Sequence, residues 1–124
     1  MTQKEKELLL VDLCGRLPYG VILSCCDTVG EKLTAIDTNP GILINNDYDI
    51  NDINEVKPYL FPMSSMTEEQ TFERRSYLSS IEGRMVGMQG RAIYIIDWCN
   101  KNHFDYRGLI PMGLAIDATG LNIY

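Results

Sequence analysis

Hydrophobic positions between residues 3 and 17 recur at the spacing of one face of an α-helix. Charged and amide side chains fill the start of this segment, and apolar side chains dominate its second half. The pattern predicts an amphipathic N-terminal helix, and Pro18 followed by Gly20 predicts where that helix stops. The positions at i, i+3, i+4 and i+7 are Leu10, Leu13, Cys14 and Leu17.

Short β-branched and apolar runs follow the helix, separated by turn residues, and they predict strands. In the last of these strands Ile42 and Ile44 share one face, because side chains alternate along a strand. The predicted strands cover residues 21–26, 31–37 and 41–46, and the predicted turns cover residues 27–30 and 39–41.

Residues 48–59 leave two structures open. Ile50, Ile53 and Val56 stand three apart among polar residues, which fits one helical turn as well as a fourth, irregular strand. A helix followed by short, strongly bent strands resembles the start of an Sm-like or SH3-like barrel in its topology.

Local signals in the second half of the chain predict an extended segment and then a helix. The two prolines that bracket KPYLFP confine it to extended backbone. Overlapping capping boxes that begin at Ser65 and Thr67 predict a helix over residues 68–81. The glycine-rich residues 83–90 predict a flexible or sharply turning connector. Residues 92–96 fit a strand as well as the first turns of a helix.

The aromatic block at residues 95–115 predicts a short helix and a buried segment. Its first part has helical spacing, which predicts an amphipathic helix ending near His103. Glycines and a proline interrupt the apolar run at residues 108–115, which predicts an irregular segment pinned across the core. The tail, residues 117–124, predicts a Thr-Gly turn and one last edge strand.

Together these elements define an α+β fold. We predict an N-terminal helix, a small bent antiparallel sheet that could close as an Sm-like or SH3-like barrel, and C-terminal helices packed against the sheet. The length suits one core, so we expect a single domain over residues 1–124.

Composition and charge restrict the partners. The formal net charge of −6 and the pI near 4.6 argue against binding to nucleic-acid polymers or anionic lipid surfaces. No segment approaches the ~20 apolar residues of a membrane span, and the first residues lack a signal-peptide pattern. We therefore expect a cytoplasmic protein without membrane contact. The cysteines show no C-x-x-C spacing, which favours buried free thiols over zinc or disulfides.

The sequence contains a single histidine, His103, so any nucleophile that needs an imidazole base must use it. Cys99 stands one helical turn earlier, which makes a Cys99–His103 pair geometrically feasible. We favour a helix-cap or core-edge role for His103, because nothing orients such a pair. The sequence also lacks metal-ligand spacing and phosphate-loop patterns, so we predict no cofactor, no metal and no enzymatic activity.

A set of basic and aromatic residues forms the candidate binding site. Guanidinium forks and aromatic faces can hold a phosphate and a base, and an acidic protein must build a local anion site from such residues. The alternative is ordinary surface chemistry, in which the helix arginines pair with nearby glutamates and the tyrosines lie at the edge of the core. The candidate ligand-binding residues are Lys57, Tyr59, Arg74, Arg75, Tyr106 and Arg107.

The strings VDLCGRLPYGV, VKPYLFPMSSMTEE and DWCNKNHFDYRGLIPMGLA resemble an uncharacterised family of short proteins from Bacteroides genomes and their phages. The three blocks occur there in this order and cover about half of the chain. The resemblance implies a phage or mobile-element accessory protein that acts in the bacterial host cytoplasm.

These observations lead to two functional hypotheses. The first is a non-enzymatic binder that sequesters a small signalling nucleotide used in anti-phage defence and that assembles as a homo-oligomer. The second is an interaction module that docks on a host or phage protein through an aromatic and methionine-lined surface. The net charge disfavours a third hypothesis, an Sm-like RNA binder. The docking surface of the second hypothesis consists of Tyr59, Phe61, Met63 and Met66.

Overall fold

The chain folds as a helix, a bent mixed sheet and further helices, which confirms the α+β class. The computed structural model describes residues 1–25, 28–37, 42–45, 49–82 and 87–124. The helices are α1 (Gln3–Arg16), α2 (Glu68–Glu82) and α3 (Gly87–Lys101). The strands are β1 (Ile22–Cys25), β2 (Thr28–Asp37), β3 (Ile42–Asn45), β4 (Asp49–Asp52), β5 (Val56–Pro62), β6 (Phe104–Asp105) and β7 (Ile116–Asp117). Short 3₁₀ turns cover Leu17–Tyr19, Ile53–Glu55 and Met63–Ser65.

Helix α1 forms where the apolar spacing predicts it, and three of the four predicted face residues contact the core: Leu13 is fully buried, and Leu10 and Leu17 pack partly buried against it. Its N-terminus has a capping box in which the Glu5 N–H donates to Thr2 Oγ1 at 3.1 Å and the Thr2 N–H donates to Glu5 Oε1 at 3.2 Å. The predicted face was wrong at Cys14, which is exposed. Two charged residues replace it on the buried face, because their side chains bond to each other inside the fold. The buried residues of α1 are Leu9, Asp12, Leu13 and Arg16.

The cysteines follow the prediction only in part. Cys99 is fully buried as a free thiol, as expected, whereas the exposure of Cys14 contradicts the expectation of buried thiols. The side chain of Cys25 and the whole of Cys26 lie outside the described residues.

The sheet bends at β2, whose two halves pair with different strands. Residues 28–32 pair with β1, and residues 33–37 pair with β3, both antiparallel. The predicted turn at residues 27–30 was wrong from Thr28 onward, since β2 already begins there. The predicted turn at residues 39–41 lies outside the described residues.

The strand order is β4-β3-β2-β1-β5-β6. The sequence left residues 48–59 open between a helical turn and a fourth strand. Both form there, because strand β4 is followed by a 3₁₀ turn at Ile53–Glu55. Among the described pairings none joins β4 to β5 or β6, so these strands form an open path. In β3 the side chain that enters the core is Leu43, while Ile44 is half-buried.

Strand β5 runs through the middle of the molecule and confirms the extended backbone predicted for KPYLFP. It pairs antiparallel with β1 and parallel with both β6 and β7, so the predicted antiparallel sheet is in fact mixed. The Phe61 N–H donates to the His103 carbonyl and the Ala118 N–H donates to the Leu60 carbonyl, each at 2.8 Å. Because successive residues of a strand point their backbone groups to opposite edges, β6 and β7 lie on opposite edges of β5.

The expected edge strand at the end of the tail was wrong, because the strand forms earlier, at β7. Residues 121–124 instead contact the sheet through a side chain. The Tyr124 hydroxyl donates to the Tyr59 carbonyl at 2.8 Å and accepts from the Ile22 N–H at 2.9 Å. The Tyr124 side chain therefore joins the start of β1 to the middle of β5.

The second capping box is the one that begins α2. The Gln70 N–H donates to Thr67 Oγ1 at 3.1 Å, and the Thr67 N–H donates to Gln70 Oε1 at 2.9 Å. Ser65 does not cap the helix, because its hydroxyl donates to the Pro62 carbonyl at 2.6 Å. The predicted connector was wrong at residues 87–90, which already belong to α3, and residues 83–86 lie outside the described part of the chain. Residues 92–96, left open by the sequence, are helical.

The aromatic block is interior, as predicted. Trp98 is 5% exposed, Phe104 1% and Leu109 0%. The Trp98 and Phe104 rings stack with centroids 5.5 Å apart, and with Cys99 they form a cluster against which Phe61 packs. A second, aliphatic cluster lies between α1 and the sheet. In the part of the chain that the structure describes, no helix has both the length and the apolar character needed to cross a bilayer.

Candidate anion-binding site

Arg16 is the most unusual side chain in the interior, because it carries a charge and is 0% exposed. Its Nε donates to Asp12 Oδ2 at 2.7 Å, and its Nη2 donates to Asp12 Oδ1 at 3.2 Å. Nη2 also donates to the Phe104 carbonyl at 2.7 Å. Arg16 therefore ties the last turn of α1 to β6, and the pair with Asp12 compensates much of the cost of burying its charge.

A second guanidinium and an aromatic ring join this pair. Arg107 Nε lies 3.3 Å from Asp12 Oδ1, and the Arg107 side chain is 30% exposed. The guanidinium carbons of Arg16 and Arg107 each lie 5.1 Å from the centroid of the Tyr106 ring, within the range of cation–π attraction. Tyr106 and Arg107, both partly exposed, give the buried Arg16–Asp12 pair its link to solvent. We call these residues the arginine site: Asp12, Arg16, Tyr106 and Arg107.

The arginine site has one donor without a partner. Among the described residues nothing accepts a hydrogen bond from Arg16 Nη1, although that atom is buried. The Oδ1 atom of Asn100, a residue only 3% exposed, is also buried without a partner in the described chain. Buried polar groups are usually hydrogen-bonded, so an unpartnered guanidinium nitrogen is a group that favours an incoming acceptor such as a phosphate oxygen.

The turn from α3 into β6 positions the aromatic side of the site. His103 adopts a left-handed backbone with φ of 63°, and its N–H donates to the Asn100 carbonyl at 3.3 Å, which closes the helix. The Asp105 carboxylate then accepts from the N–H groups of Leu109 at 2.8 Å and Ile110 at 2.9 Å. The loop that carries Tyr106 and Arg107 is therefore fixed at both ends.

Close packing of α1 on α3 positions Arg16, on the side of the arginine site opposite the loop. A Cβ atom at Gly15 would lie 3.1 Å from Asn100 Nδ2, so glycine at this position allows α3 to approach α1 closely. The neighbouring residue along α1 is Arg16, which the contact therefore holds near the end of α3.

Three groups near the arginine site, His103, Tyr124 and the Cys99 thiol, have pKa values that keep them uncharged near neutral pH. Burial, and then the positive charge of Arg16, lower the pKa of His103 to about 4. Burial raises the pKa of Tyr124 to about 12 and raises the pKa of the Cys99 thiol. The His103 and Tyr124 rings stack with centroids 3.6 Å apart.

These properties do not support a Cys99–His103 nucleophile pair. A weakly basic imidazole beside a thiol with a raised pKa gives little thiolate, and the described contacts include no hydrogen bond between the two side chains. His103 has the helix-cap role that the sequence favours.

The six sequence-predicted binding residues lie in three places. Tyr106 and Arg107 are together in the arginine site. Lys57 is exposed on β5, opposite Ser24 of β1, and Tyr59 is buried on the same strand. The described hydrogen bonds, ion pairs and ring contacts connect neither of these two residues with the arginine site.

The remaining two predicted binding residues are on α2. Arg75 is exposed beside Phe72, whereas Arg74 is half-buried with a buried Nε that has no partner among the described residues. The described ion pairs join neither arginine to Glu68, Glu69 or Glu73. The described hydrogen bonds, ion pairs and ring contacts join neither arginine to Tyr106 or Arg107, although the charge of Arg74 acts on the Cys99 thiol as that of Arg16 does.

The docking surface predicted at Tyr59, Phe61, Met63 and Met66 is not a continuous exposed surface. Tyr59 is 8% exposed, and Phe61 and Met66 pack against the Trp98 cluster. Met63 alone of these is exposed, at 38%. Phe61 on β5 and Met66 after it are partly buried because the cluster of Trp98, Cys99 and Phe104 covers them.

Sequence reasoning missed Asp12 and Arg16. A signal was present, because the two stand at i and i+4 and share a face with Leu9 and Leu13. Opposite charges one turn apart within an apolar face are typical of a buried pair. Their approach to Phe104, 88 positions away in the chain for Arg16, could not be read from local spacing.

The described residues include no group of three or more His, Cys, Asp or Glu side chains that could hold a metal ion. No family model, curated protein or solved structure matches this chain.

Proposed function

We propose that this chain is a non-enzymatic accessory protein of a phage or mobile element and that it sequesters a small nucleotide at the arginine site. The observation that carries the proposal is Arg16, a fully buried guanidinium with an unpartnered Nη1, next to a second guanidinium and an aromatic ring. Arginines are also buried in purely structural ion pairs, but there each buried N–H group normally has a hydrogen-bond acceptor.

The site supplies both kinds of contact that a nucleotide needs. Guanidinium forks bind phosphate oxygens, and the Tyr106 ring can stack on a base when Arg107, which lies over that ring, moves to the phosphate. Arg107 is the group that changes contacts most easily, because its side chain is 30% exposed and its Nε lies 3.3 Å from Asp12. We infer that an incoming phosphate draws Arg107 from Asp12 and reaches Arg16 Nη1 past the Tyr106 ring.

The sequence resemblance supports the biological setting. A small phage protein whose described residues form no Cys–His nucleophile pair would suit the removal of a host signal by binding rather than by chemistry. We propose that the chain acts in the bacterial cytoplasm, where such a nucleotide is made.

Isothermal titration calorimetry with a panel of cyclic and linear nucleotides tests the proposal. We expect binding of at least one nucleotide, weakened about tenfold or more in Arg107→Gln, because a hydrogen bond to a charged group contributes about 1.5–3 kcal/mol. Lys4→Gln is the matched control, since Lys4 is exposed and lies about 18 Å from Arg16 along α1. Absence of heat with every nucleotide would reject the proposal.

A second candidate function, docking on another protein, is favoured by the outer face of α1. Leu10, Val11 and Cys14 border a shallow apolar groove of about 370 Å³, and Val11 is 56% exposed. We propose this face as the contact for a protein partner or for a homo-oligomer. Val11→Asp should abolish capture of a stoichiometric partner from host lysate and any self-association seen by light scattering, whereas Thr119→Asp should not. If the native chain is monomeric and captures no partner, this candidate fails.

A further inference from the structure

The balance of charge at the arginine site limits which phosphate it can accept. Arg16 and Arg107 bring two positive charges, and the Asp12 carboxylate, 0% exposed, contacts both of them. At most one positive charge is therefore left for a ligand. A ligand with a second negative charge would approach the Asp12 oxygen that faces both guanidinium groups.

The charged and titratable groups next to the site do not add to the one positive charge that is left for a ligand. Asp105 is buried at 6% exposure beside the site, and both of its oxygens accept from backbone N–H groups of the following turn. It adds negative charge and no donor. His103 is neutral near pH 7, so it supplies no third cation. Arg74 on α2 acts on the Cys99 thiol, as Arg16 does, but no described hydrogen bond, ion pair or ring contact joins Arg74 to the arginine site. Among the groups in contact at the site, the uncompensated charge comes from Arg16 and Arg107.

Phosphate esters differ in their negative charge, which is the property that the site can distinguish. A phosphodiester carries one negative charge at every pH above its low first pKa. A phosphomonoester carries about 1.5 to 2 charges at pH 7, because its second pKa is near 6. Inside a site that water reaches poorly, the additional charge is not screened.

We propose that the arginine site selects phosphodiesters over phosphomonoesters, so that the sequestered ligand is a nucleotide whose phosphate is linked on both sides, such as a cyclic nucleotide. This inference rests on the proposed function. Asp12 is the specificity-determining residue, because it removes the second positive charge that a monoester dianion requires.

Calorimetry with 3′,5′-cyclic AMP and 5′-AMP, which share one base and one sugar, provides the test. At pH 8 we expect the cyclic nucleotide to bind at least tenfold more tightly. At pH 5.5 most of the 5′-AMP is a monoanion, so the difference should shrink while the affinity for cyclic AMP stays constant.

Three titratable groups near the site should keep one protonation state between these two pH values. The pKa of His103 on α3 is about 4, the pKa of Tyr124 in the tail is about 12, and the pKa of the Cys99 thiol is raised. A pH-dependent preference between the two nucleotides therefore reports the charge of the ligand.

Asp12→Asn offers a second, independent readout. The variant keeps the shape of the side chain and leaves two positive charges, so it should bind 5′-AMP more tightly than the native chain does at pH 8 and remove the preference for the cyclic form. Glu7→Gln, which removes an exposed carboxylate from the same helix, should leave the preference unchanged. If Asp12→Asn does not fold, the pH series decides alone.

The outcomes separate the two proposals. If neither nucleotide binds at either pH, the proposed function fails and this inference fails with it. If both bind and 5′-AMP is equal or tighter at pH 8, the arginine site is real and the selection of phosphodiesters is wrong.

Discussion

Asp12 and Arg16 show how a pair of charges can be placed inside a small fold. Neither side chain is exposed, and two hydrogen bonds of 2.7 Å and 3.2 Å join them, while Arg16 Nη1 has no partner among the described residues. The Coulomb attraction and the contact of Arg16 with the Phe104 carbonyl offset the loss of hydration. Removing one partner alone leaves a buried charge without compensation.

Asp12→Ala should therefore lower the free energy of unfolding by about 3–5 kcal/mol, measured by urea denaturation at pH 7. The double variant Asp12→Leu/Arg16→Met should recover most of this loss, because apolar side chains of similar volume often replace a buried pair without penalty. A loss below about 1 kcal/mol in Asp12→Ala would show that the pair is not essential for stability.

His103 makes stability depend on pH. Its pKa is about 4 in the folded chain against an ordinary value of 6.5, so between these values the unfolded chain holds more protons. The contribution of neutral His103 is fully present above pH 6.5 and is lost as the pH falls towards 4. We expect the free energy of unfolding to decrease over that window.

His103→Asn should make this decrease less steep, because asparagine has no proton to gain and tolerates the left-handed backbone at φ of 63°. Urea denaturation of both proteins at pH 7, 5.5 and 4.5 measures the effect. Carboxylates such as Asp52 titrate equally in both proteins and cancel in the comparison. Parallel pH profiles would mean that His103 is not buried in its neutral form.

Among the elements, α1 shows both the reach and the limit of sequence reasoning. Its existence follows from apolar spacing and from the Thr2 capping box, which are local signals. Its orientation does not, because Leu8 to Val11 are all apolar and give two overlapping stripes. The stripe predicted to be buried consists of Leu10, Leu13, Cys14 and Leu17. The fold buries the stripe that carries Asp12 and Arg16, which find partners only in the folded chain.

The orientation of α1 can be tested with one pair of truncations. Leu9→Ala should cost about 2–5 kcal/mol, since Leu9 is 0% exposed in the aliphatic cluster. Val11→Ala should change stability by about 0.5 kcal/mol or less, since Val11 is 56% exposed. Thermal denaturation of the two variants compares them directly. Equal losses would contradict the observed face.

The other elements also divide into those that local sequence signals determine and those that depend on contacts made only in the folded chain. The Thr67 capping box and the prolines of β5 act on their own neighbours, so α2 and β5 were predictable. Strands β6 and β7 have two residues each and exist only because β5 supplies their backbone partners. Residues 87–90 are helical although glycine-rich, because packing of α3 outweighs the weak helix propensity of glycine.

For the whole molecule, the candidate site was predictable from its exposed half. Tyr106 and Arg107 are adjacent in sequence and were identified as residues that could bind a base and a phosphate. Lys57, Arg74 and Arg75 have the same chemistry, and only the fold separates them from that pair. Arg16 belongs to the site because α1 packs beside the turn from α3 into β6.

The most direct test of nucleotide binding at the arginine site is an NMR titration of the ¹⁵N-labelled chain with 3′,5′-cyclic AMP. The measured signals are the Nε–Hε groups of the arginines and the backbone amide of Tyr106. We predict saturable shifts at Arg16, Arg107 and Tyr106, with Arg75 unchanged. Saturation that moves only Arg74 and Arg75, or a titration that leaves Arg16 and Arg107 in place, would contradict the proposed site.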